Sequence, residues 1–290
     1  MGLGLIGGSI ALAVRERWPE SRVFGVDSDS VLAHAVGAGA IERGFGSIGA
    51  LPDASLIILA APVRQNVDLL NALAGPKEPA LPSTVGRVLP DPANLRPIVT
   101  DVGGTKRDIV NAARALPSNV TFVGGHPLGG GERGGFAFAR PDLFTGRPWI
   151  FTPDGGATSA AVERLARFVA GLGAKPVILS ADEHDRIMAF VSHLPQLAAS
   201  ALMDAVGSAA QDEGLRMAGR GLVDTTRLAS SPADVWRDIC LTNADAIGDA
   251  LDCLIQRLTQ LRGDLRRGDA VEAIFSAAAK WRAELMKDNH

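Results

Sequence analysis

The chain has 290 residues, 47% of them hydrophobic and 21% charged, with a formal net charge of -3. That length and composition suit one large or two ordinary globular domains and exclude a disordered chain. The near-neutral balance excludes a global basic field for nucleic acid or an anionic membrane surface, so an anionic ligand must be held by local Arg, Lys or His.

Two cysteines, Cys240 and Cys253, fit neither a disulfide framework nor a zinc site. They read as small apolar side chains in a reducing cytosol, and a cytoplasmic location is expected. The apolar run 2–14 has no positive charge before it and no small-residue cleavage site after it, so it reads as part of the fold and not as a leader. No segment reaches the ~20 unbroken apolar residues of a membrane span.

The first motif is Gly2-Leu3-Gly4-Leu5-Ile6-Gly7-Gly8-Ser9, followed by an apolar helix. Gly2, Gly4 and Gly7 match G-x-G-x-x-G. The first glycine permits a tight turn, the second lets a pyrophosphate approach the backbone, and the third lets helix and strand pack closely. The helix N-terminus, with Leu5 and Ile6 in its first turn, offers unpaired N–H groups to phosphate. A strand is predicted over 23–27, ending in Asp27, twenty residues after Gly7. A carboxylate there accepts from ribose hydroxyls and repels a 2′-phosphate, which favours NAD over NADP. The strand that should precede Gly2 is missing, since only Met1 stands before it. Either the natural start lies upstream, which is the preferred reading, or the chain is a shortened form with weakened folding.

Further strands are predicted over 56–60, 97–101, 121–124, 148–152 and 176–179, with helices such as 106–116 and 160–172 between them. This alternation predicts an α/β fold with a parallel sheet covered by helices on both faces, a Rossmann-like dinucleotide-binding domain. Ala61 and Pro62 end a buried strand where a cofactor could cross the sheet edge. Asp101 leaves the next strand ahead of a helix, and Gly124-Gly125-His126-Pro127 sits at a third strand end. Ligands of open α/β sheets bind outside such carboxyl ends. Residues 75–96 are proline-rich and read as a long surface loop. A helix is expected over 131–139, where Glu132 and Arg133 either line a cleft or pair with each other.

After Ser180 no strand is expected. Helical patterns run over 182–207, 233–261 and 270–285, so the domains divide as 1–180, dinucleotide-binding, and 181–290, all-α. Apolar faces on several of these helices call for a partner surface, and a homodimer through this half is expected. Asp182, Glu183, His184 and Asp185 look like a metal cluster, but acidic residues at a helix start follow from capping and dipole alone, and no metal is expected. Among five histidines, His126 suits general base work near its ordinary pKa of about 6.5, or else it is a structural loop histidine.

The ordered set of the N-terminal glycine motif, Asp101-Val102-Gly103, Gly124-Gly125-His126-Pro127, Ser192-His193-Leu194-Pro195, Thr226-Arg227-Leu228-Ala229 and Trp236-Arg237-Asp238-Ile239 resembles the prephenate dehydrogenase family, including its arogenate and cyclohexadienyl relatives. The resemblance spans nearly the whole chain. It implies NAD-dependent oxidative decarboxylation of a cyclohexadiene carboxylate in tyrosine biosynthesis. It also implies His126 as acceptor of the 4-hydroxyl proton and Arg227 as the fork for a substrate carboxylate. Without the resemblance, Arg227 reads as a helix-end arginine in a salt bridge. Trp236 matches a pocket tryptophan or is a core aromatic, and His193 either faces the cleft or is a buried, satisfied histidine. Two positions depart from the family. Gln196 stands where many relatives have a second histidine and can hydrogen-bond substrate without charge. Gly104 stands where many have serine, so Thr105 is the candidate hydroxyl.

Three competing readings stay open. One is the arogenate-specific enzyme. Another is a two-domain hydroxy-acid dehydrogenase, against which the lysine-free helix 182–207 counts. The last is a non-catalytic dinucleotide sensor, which Gly104, Gln196 and the missing strand favour.

Overall fold

A computed structural model describes residues 1–75, 97–131 and 133–287. The proline-rich stretch 76–96 and Glu132 lie outside the described residues. The first helix, α1 (Leu5–Arg17), starts at Gly4 and ends with Arg15 and Arg17 in its last turn, where cations suit the helix dipole. Strand β1 (Phe24–Val26), helix α2 (Asp29–Gly37) and strand β2 (Arg43–Phe45) follow, and β1 pairs with β2 in parallel. The short β2 was not expected. Its three residues carry no alternating apolar signal.

The main sheet is built from β3 (Leu56–Leu59), β4 (Ile98–Asp101), β5 (Thr121–Pro127), β6 (Pro148–Thr152) and β7 (Lys175–Ile178), in that spatial order. Helices α3 (Val63–Ala74), α4 (Arg107–Ala113) and α5 (Ser159–Gly171) connect them. The pairs β3–β4, β4–β5 and β6–β7 are parallel, as expected. The pair β5–β6 is antiparallel, which a strand-helix alternation could not reveal. In the linker between β5 and β6, the helix expected over 131–139 shrinks to a 3-10 turn, Phe136–Phe138, because Gly131, Gly134 and Gly135 disfavour a longer helix.

Met1 and Gly2 lie between β1 and β3. Met1 N donates to Ile58 O at 2.7 Å, Ala60 N donates to Met1 O at 2.6 Å and Gly2 N donates to Val26 O at 3.0 Å. These two residues tie the two sheet pieces at one end only. Behind them lies a cavity of about 1050 Å³, lined by Ile10 and Val14 of α1, Phe24 of β1, Leu56 and Ile58 of β3, and Phe168 of α5.

The sheet buries one apolar cluster on each face. Ile10, Val123, Phe144, Trp149, Phe151 and Leu165 form one, and Leu59, Leu70, Val99, Ile109 and Phe122 the other. Each such side chain contributes about 1.5–3 kcal/mol by leaving water. The edges of this rigid slab then deliver the loops that follow β3, β4 and β5 to one rim.

After β7, Ser180 caps α6 (Ala181–Met188), its Oγ accepting from Glu183 N at 3.1 Å. The helix expected over 182–207 is interrupted. Residues Ala189–His193 form a π-helical turn before α7 (Leu194–Leu215), a wide turn that is frequent at functional sites. Then come α8 (Arg220–Thr225), a 3-10 turn at Arg227–Ser230, and α9 (Ala233–Thr242). The expected helix 233–261 is two helices, because Asn243 leaves helical geometry at φ -141° and ends α9.

Contacts group Met1–Ala244 into one compact unit and Asp245–His290 into a second. The second holds α10 (Ala244–Asp264) and α11 (Asp269–Lys287). There Asp264 accepts from Ala270 N at 2.5 Å and Arg267 Nε at 2.9 Å, which closes the turn between the two helices.

Candidate active site

The glycine turn is built as its residues predict. Gly2 sits at φ +82°, and a Cβ at Gly7 would lie 1.8 Å from Gly2 O, so the turn and the start of α1 interlock only without side chains. A Cβ at Gly4 would meet nothing within 4 Å, so the N-terminus of α1 opens on free space. Leu5 and Ile6 follow in the first turn of that helix. Asp27, at the end of β1, accepts from Leu3 N and Ser28 N, both at 2.7 Å. It braces the turn and keeps lone pairs for further donors. Ala61 and Pro62 pass over the end of β3. Buried Asn66 shapes this bend, its Nδ2 donating to Ala61 O at 2.9 Å and to Leu59 O at 3.2 Å.

His126 stands near the carboxyl end of β5, half-buried. A Cβ at the preceding Gly125 would fall 2.5 Å from Asp101 O, so only glycine lets β5 press this closely on β4. His126 Nδ1 lies 2.8 Å from His184 Nε2. His184 Nδ1 lies 2.8 Å from Asp185 Oδ1. Asp185, fully buried, also accepts from Lys106 N at 2.7 Å and Arg107 N at 2.9 Å. Burial works to raise its pKa, but the bonds from His184 and from the Arg107 and Lys106 backbone hold the carboxyl below its usual range.

The chain of contacts continues. Asn243 Nδ2 donates to Asp185 O at 2.8 Å and lies 3.3 Å from His193 Nδ1. His193 meets Trp236 edge-on with ring centroids 6.1 Å apart. His126, His193 and Trp236 are thus brought into one cluster. The cluster joins the end of β5 to α6, the π-helical turn and α9.

Three expected residues take different places. Thr105 is fully buried, with its Oγ1 2.7 Å from Thr242 Oγ1. Its hydroxyl staples the β4–α4 loop to α9 and does not replace the family serine. Asp101 is fully buried beneath the site and not at its surface. It takes Lys106 Nζ at 2.5 Å, Gly103 N at 2.7 Å and Gly125 N at 3.0 Å, so it serves as a counter-ion and loop anchor and does not face a cofactor. The amide of Gln196 is committed within the protein. Its Nε2 donates to Leu228 O at 2.7 Å and Ser200 Oγ at 3.3 Å, and its Oε1 accepts from Ser231 Oγ at 3.0 Å. It therefore holds the turn that carries Arg227 and is not a free binding group. Arg227 opens that turn and is exposed.

Lys106, His184, Asp185 and Asn243 were not foreseen as part of the site. Only Met188, three residues after Asp185 and apolar, hints that this face of α6 turns inward. Among the described residues no group of His, Cys, Asp and Glu is arranged to hold a metal ion.

The three clustered imidazoles resist protonation. Burial is the first cause for each, with like-signed neighbours adding to it at His126, and His193 is pushed down to about 4. Below about pH 6.5 the unfolded chain takes up protons that the folded chain refuses, so stability is lost as the pH falls from 6.5 toward the folded pKa values. At pH 5, His193 alone should cost about 2 kcal/mol. Thermal melts at pH 7.5 and 5 should therefore show a clearly lower Tm in acid, and an unchanged Tm would contradict the burial of these rings.

Comparison with known proteins agrees with this geometry. The family model for the nucleotide-binding domain of prephenate dehydrogenase matches residues 10–178, and that for its dimerization domain matches residues 180–276. The chain belongs to the prephenate dehydrogenase family. It is 37% identical to a prephenate dehydrogenase of Bacillus subtilis over 93% of this chain and 70% of the relative. It is 29% identical to a cyclohexadienyl dehydrogenase of Zymomonas mobilis over 100% of this chain and 96% of that one. The prephenate dehydrogenase of Aquifex aeolicus, solved with hydroxyphenyl propionate and NAD+, superposes with a TM-score of 0.83 at 27% identity, covering 99% of this chain and 96% of that one.

Proposed function

We propose that this member of the prephenate dehydrogenase family carries out the NAD-dependent oxidative decarboxylation of prephenate to 4-hydroxyphenylpyruvate, a step of tyrosine biosynthesis. The observation that carries this reading is His126. It stands at the rim of the sheet, where ligands of such folds bind, with one ring nitrogen already engaged by His184. Family membership and the NAD+ complex of the Aquifex relative support the cofactor and the reaction.

Gly2, Gly4, Leu5, Ile6 and Gly7 would hold the pyrophosphate at the N-terminus of α1, Asp27 the adenosine ribose, and Ala61 with Pro62 the length of the cofactor along the rim. The tight turn at Gly2, the open space at Gly4 and the lone pairs left on Asp27 fit such a ligand. When bound, NAD supplies the hydride acceptor. His126 takes the proton of the 4-hydroxyl as that oxygen becomes a carbonyl, and loss of the ring carboxylate as carbon dioxide makes the ring aromatic. Arg227 grips a substrate carboxylate through its planar fork, while His193 and Trp236 wall the pocket.

The same reading divides the chain into a dinucleotide-binding domain, 1–180, and a helical substrate and dimerisation domain, 181–290. A homodimer through the helical part is supported by the family's dimerization domain over 180–276 and by exposed apolar residues such as Met217, Phe275 and Trp281. A cytoplasmic location is supported by two free thiols, Cys240 and Cys253. No helix among the described residues is long and apolar enough to cross a membrane.

The test is NADH formation by the purified chain, measured with prephenate and then with arogenate. Turnover of prephenate is expected, and failure with both compounds would sink the reading. Asp27→Ala should raise the Kd for NAD by about 10–100-fold, the worth of hydrogen bonds to a charged group, and narrow the preference over NADP. A parent that already prefers NADP would refute the role given to Asp27.

A further inference from the structure

His126 meets the protein through Nδ1, and its partner there is a second histidine, His184. That pairing restricts the protons. Asp185 lies 2.8 Å from His184 Nδ1 and is also fed by the Lys106 and Arg107 backbone N–H groups. A carboxylate so surrounded by donors accepts, so His184 carries its proton on Nδ1. A neutral His184 then has a bare Nε2. His126 Nδ1, 2.8 Å away, must supply the proton of that hydrogen bond. The remaining nitrogen of His126, Nε2, is left with its lone pair.

We propose that His184 and Asp185 are positioning residues that lock His126 in the Nδ1–H tautomer, so that its Nε2 is the bare nitrogen presented to substrate. The proposal rests on the reading of His126 as proton acceptor and adds what makes it one. The histidine side chain in water prefers the opposite tautomer, with the proton on Nε2, which would present a donor where a base is needed. The rings meet at 64° with centroids 5.0 Å apart, a geometry that suits an in-plane bond from one ring to the lone pair of the other.

In the reaction Nε2 of His126 takes the hydroxyl proton, and the O–H bonding pair stays on the substrate oxygen as its carbonyl forms. His126 becomes an imidazolium, still donating through Nδ1 to His184. His184 still donates to Asp185, which remains ionised, so no proton moves along the relay. Were His184 itself protonated, the bond would reverse and His126 would lose its free nitrogen. Lys106, whose ammonium is fully buried and paired with Asp101, faces the same cluster and opposes that extra charge.

The relay also connects two parts of the fold. His126 lies on β5, while His184 and Asp185 lie on α6, anchored to the start of α4. The helical segment therefore sets the protonation state of a side chain on the sheet.

Long-range proton–nitrogen spectra of the ring nitrogens in the intact chain, without substrate at neutral pH, read the tautomers directly. Both His126 and His184 should be protonated at Nδ1 and bare at Nε2. A His126 protonated at Nε2 would overturn the proposal without any assay. In kinetics, His184→Leu removes the acceptor and should lower kcat by about 10²-fold or more with the Kd for NAD near the parent value. His184→Gln offers an amide oxygen to His126 Nδ1 and should recover at least about tenfold over the leucine variant. If a folded His184→Leu keeps parental kcat while His126→Asn is inactive, the relay is wrong and the base assignment stands. If His126→Asn itself keeps parental kcat, both are wrong. Should His184→Leu not fold, the spectrum of the parent chain still decides.

Discussion

His126→Asn should lower kcat by about 10²–10⁴-fold while the Kd for NAD stays near its parental value. Asparagine keeps a polar group beside His184 but has no lone pair basic enough to take the hydroxyl proton. The cofactor turn, built from Gly2 to Gly7 and Asp27, is made by α1 and β1 and is not touched by the change. The same side chain sets the acid limb of the parent enzyme. Burial first, then His184, Lys106 and His193, push the His126 pKa well below 6.5. A base works only while unprotonated, so activity is retained as the pH falls through 6.5 and is lost only lower, as it passes the depressed pKa. A pH profile of kcat/KM tests this. An acid limb at or above 6.5, or unchanged turnover in the asparagine variant, would remove His126 from the chemistry.

The second large effect concerns stability. Lys106→Met should destabilise the fold by about 3–5 kcal/mol, the usual consequence of removing one member of a buried ion pair. Lys106 and Asp101 are both fully buried and bonded to each other. Burial lowers the Lys106 pKa, against the pull of Asp101. Without the ammonium, Asp101 keeps only the Gly103 and Gly125 N–H donors and becomes an uncompensated buried charge. At about 2–4 °C per kcal/mol for a chain of this size, Tm should fall by roughly 6–20 °C. Adding Asp101→Asn should return part of the loss, because two neutral groups replace a lone anion. A melt within about 1 kcal/mol of the parent would show that the pair contributes little. Loss of the Lys106 charge should also raise the His126 pKa and move the acid limb upward, which links the buried pair to the reaction.

Much of the dinucleotide-binding half was legible because its signals are local. The turn at Gly2 to Gly7 is dictated by where a Cβ cannot fit, and Asp27 by its distance along one strand and helix. The strands over 56–60, 97–101 and 148–152 announced themselves as apolar runs between polar helices. What failed was read from the same local signals. Helix 182–207 looked continuous because a π-helical turn keeps the composition of an α-helix. The helix 233–261 hid its break at Asn243, whose side chain is used against Asp185 and His193. The direction of β6 was invisible because antiparallel and parallel strands bury the same residues.

The functional roles divide along the same line. Residue identity alone determined that a histidine, an arginine and a glycine turn were present in an order that resembles one enzyme family. It also determined that a carboxylate, Asp27, follows the strand after the glycine turn. Only the tertiary structure decided that Thr105 is spent on Thr242, Gln196 on Leu228 and Ser231, and Asp101 on Lys106. It also decided that His184 and Asp185, which looked like ordinary helix-start residues, turn inward to hold His126. The reason is that a polar group's role depends on which partners satisfy it. For buried groups those partners come from segments up to 137 residues apart, as for Thr105 and Thr242, a separation that no local pattern encodes.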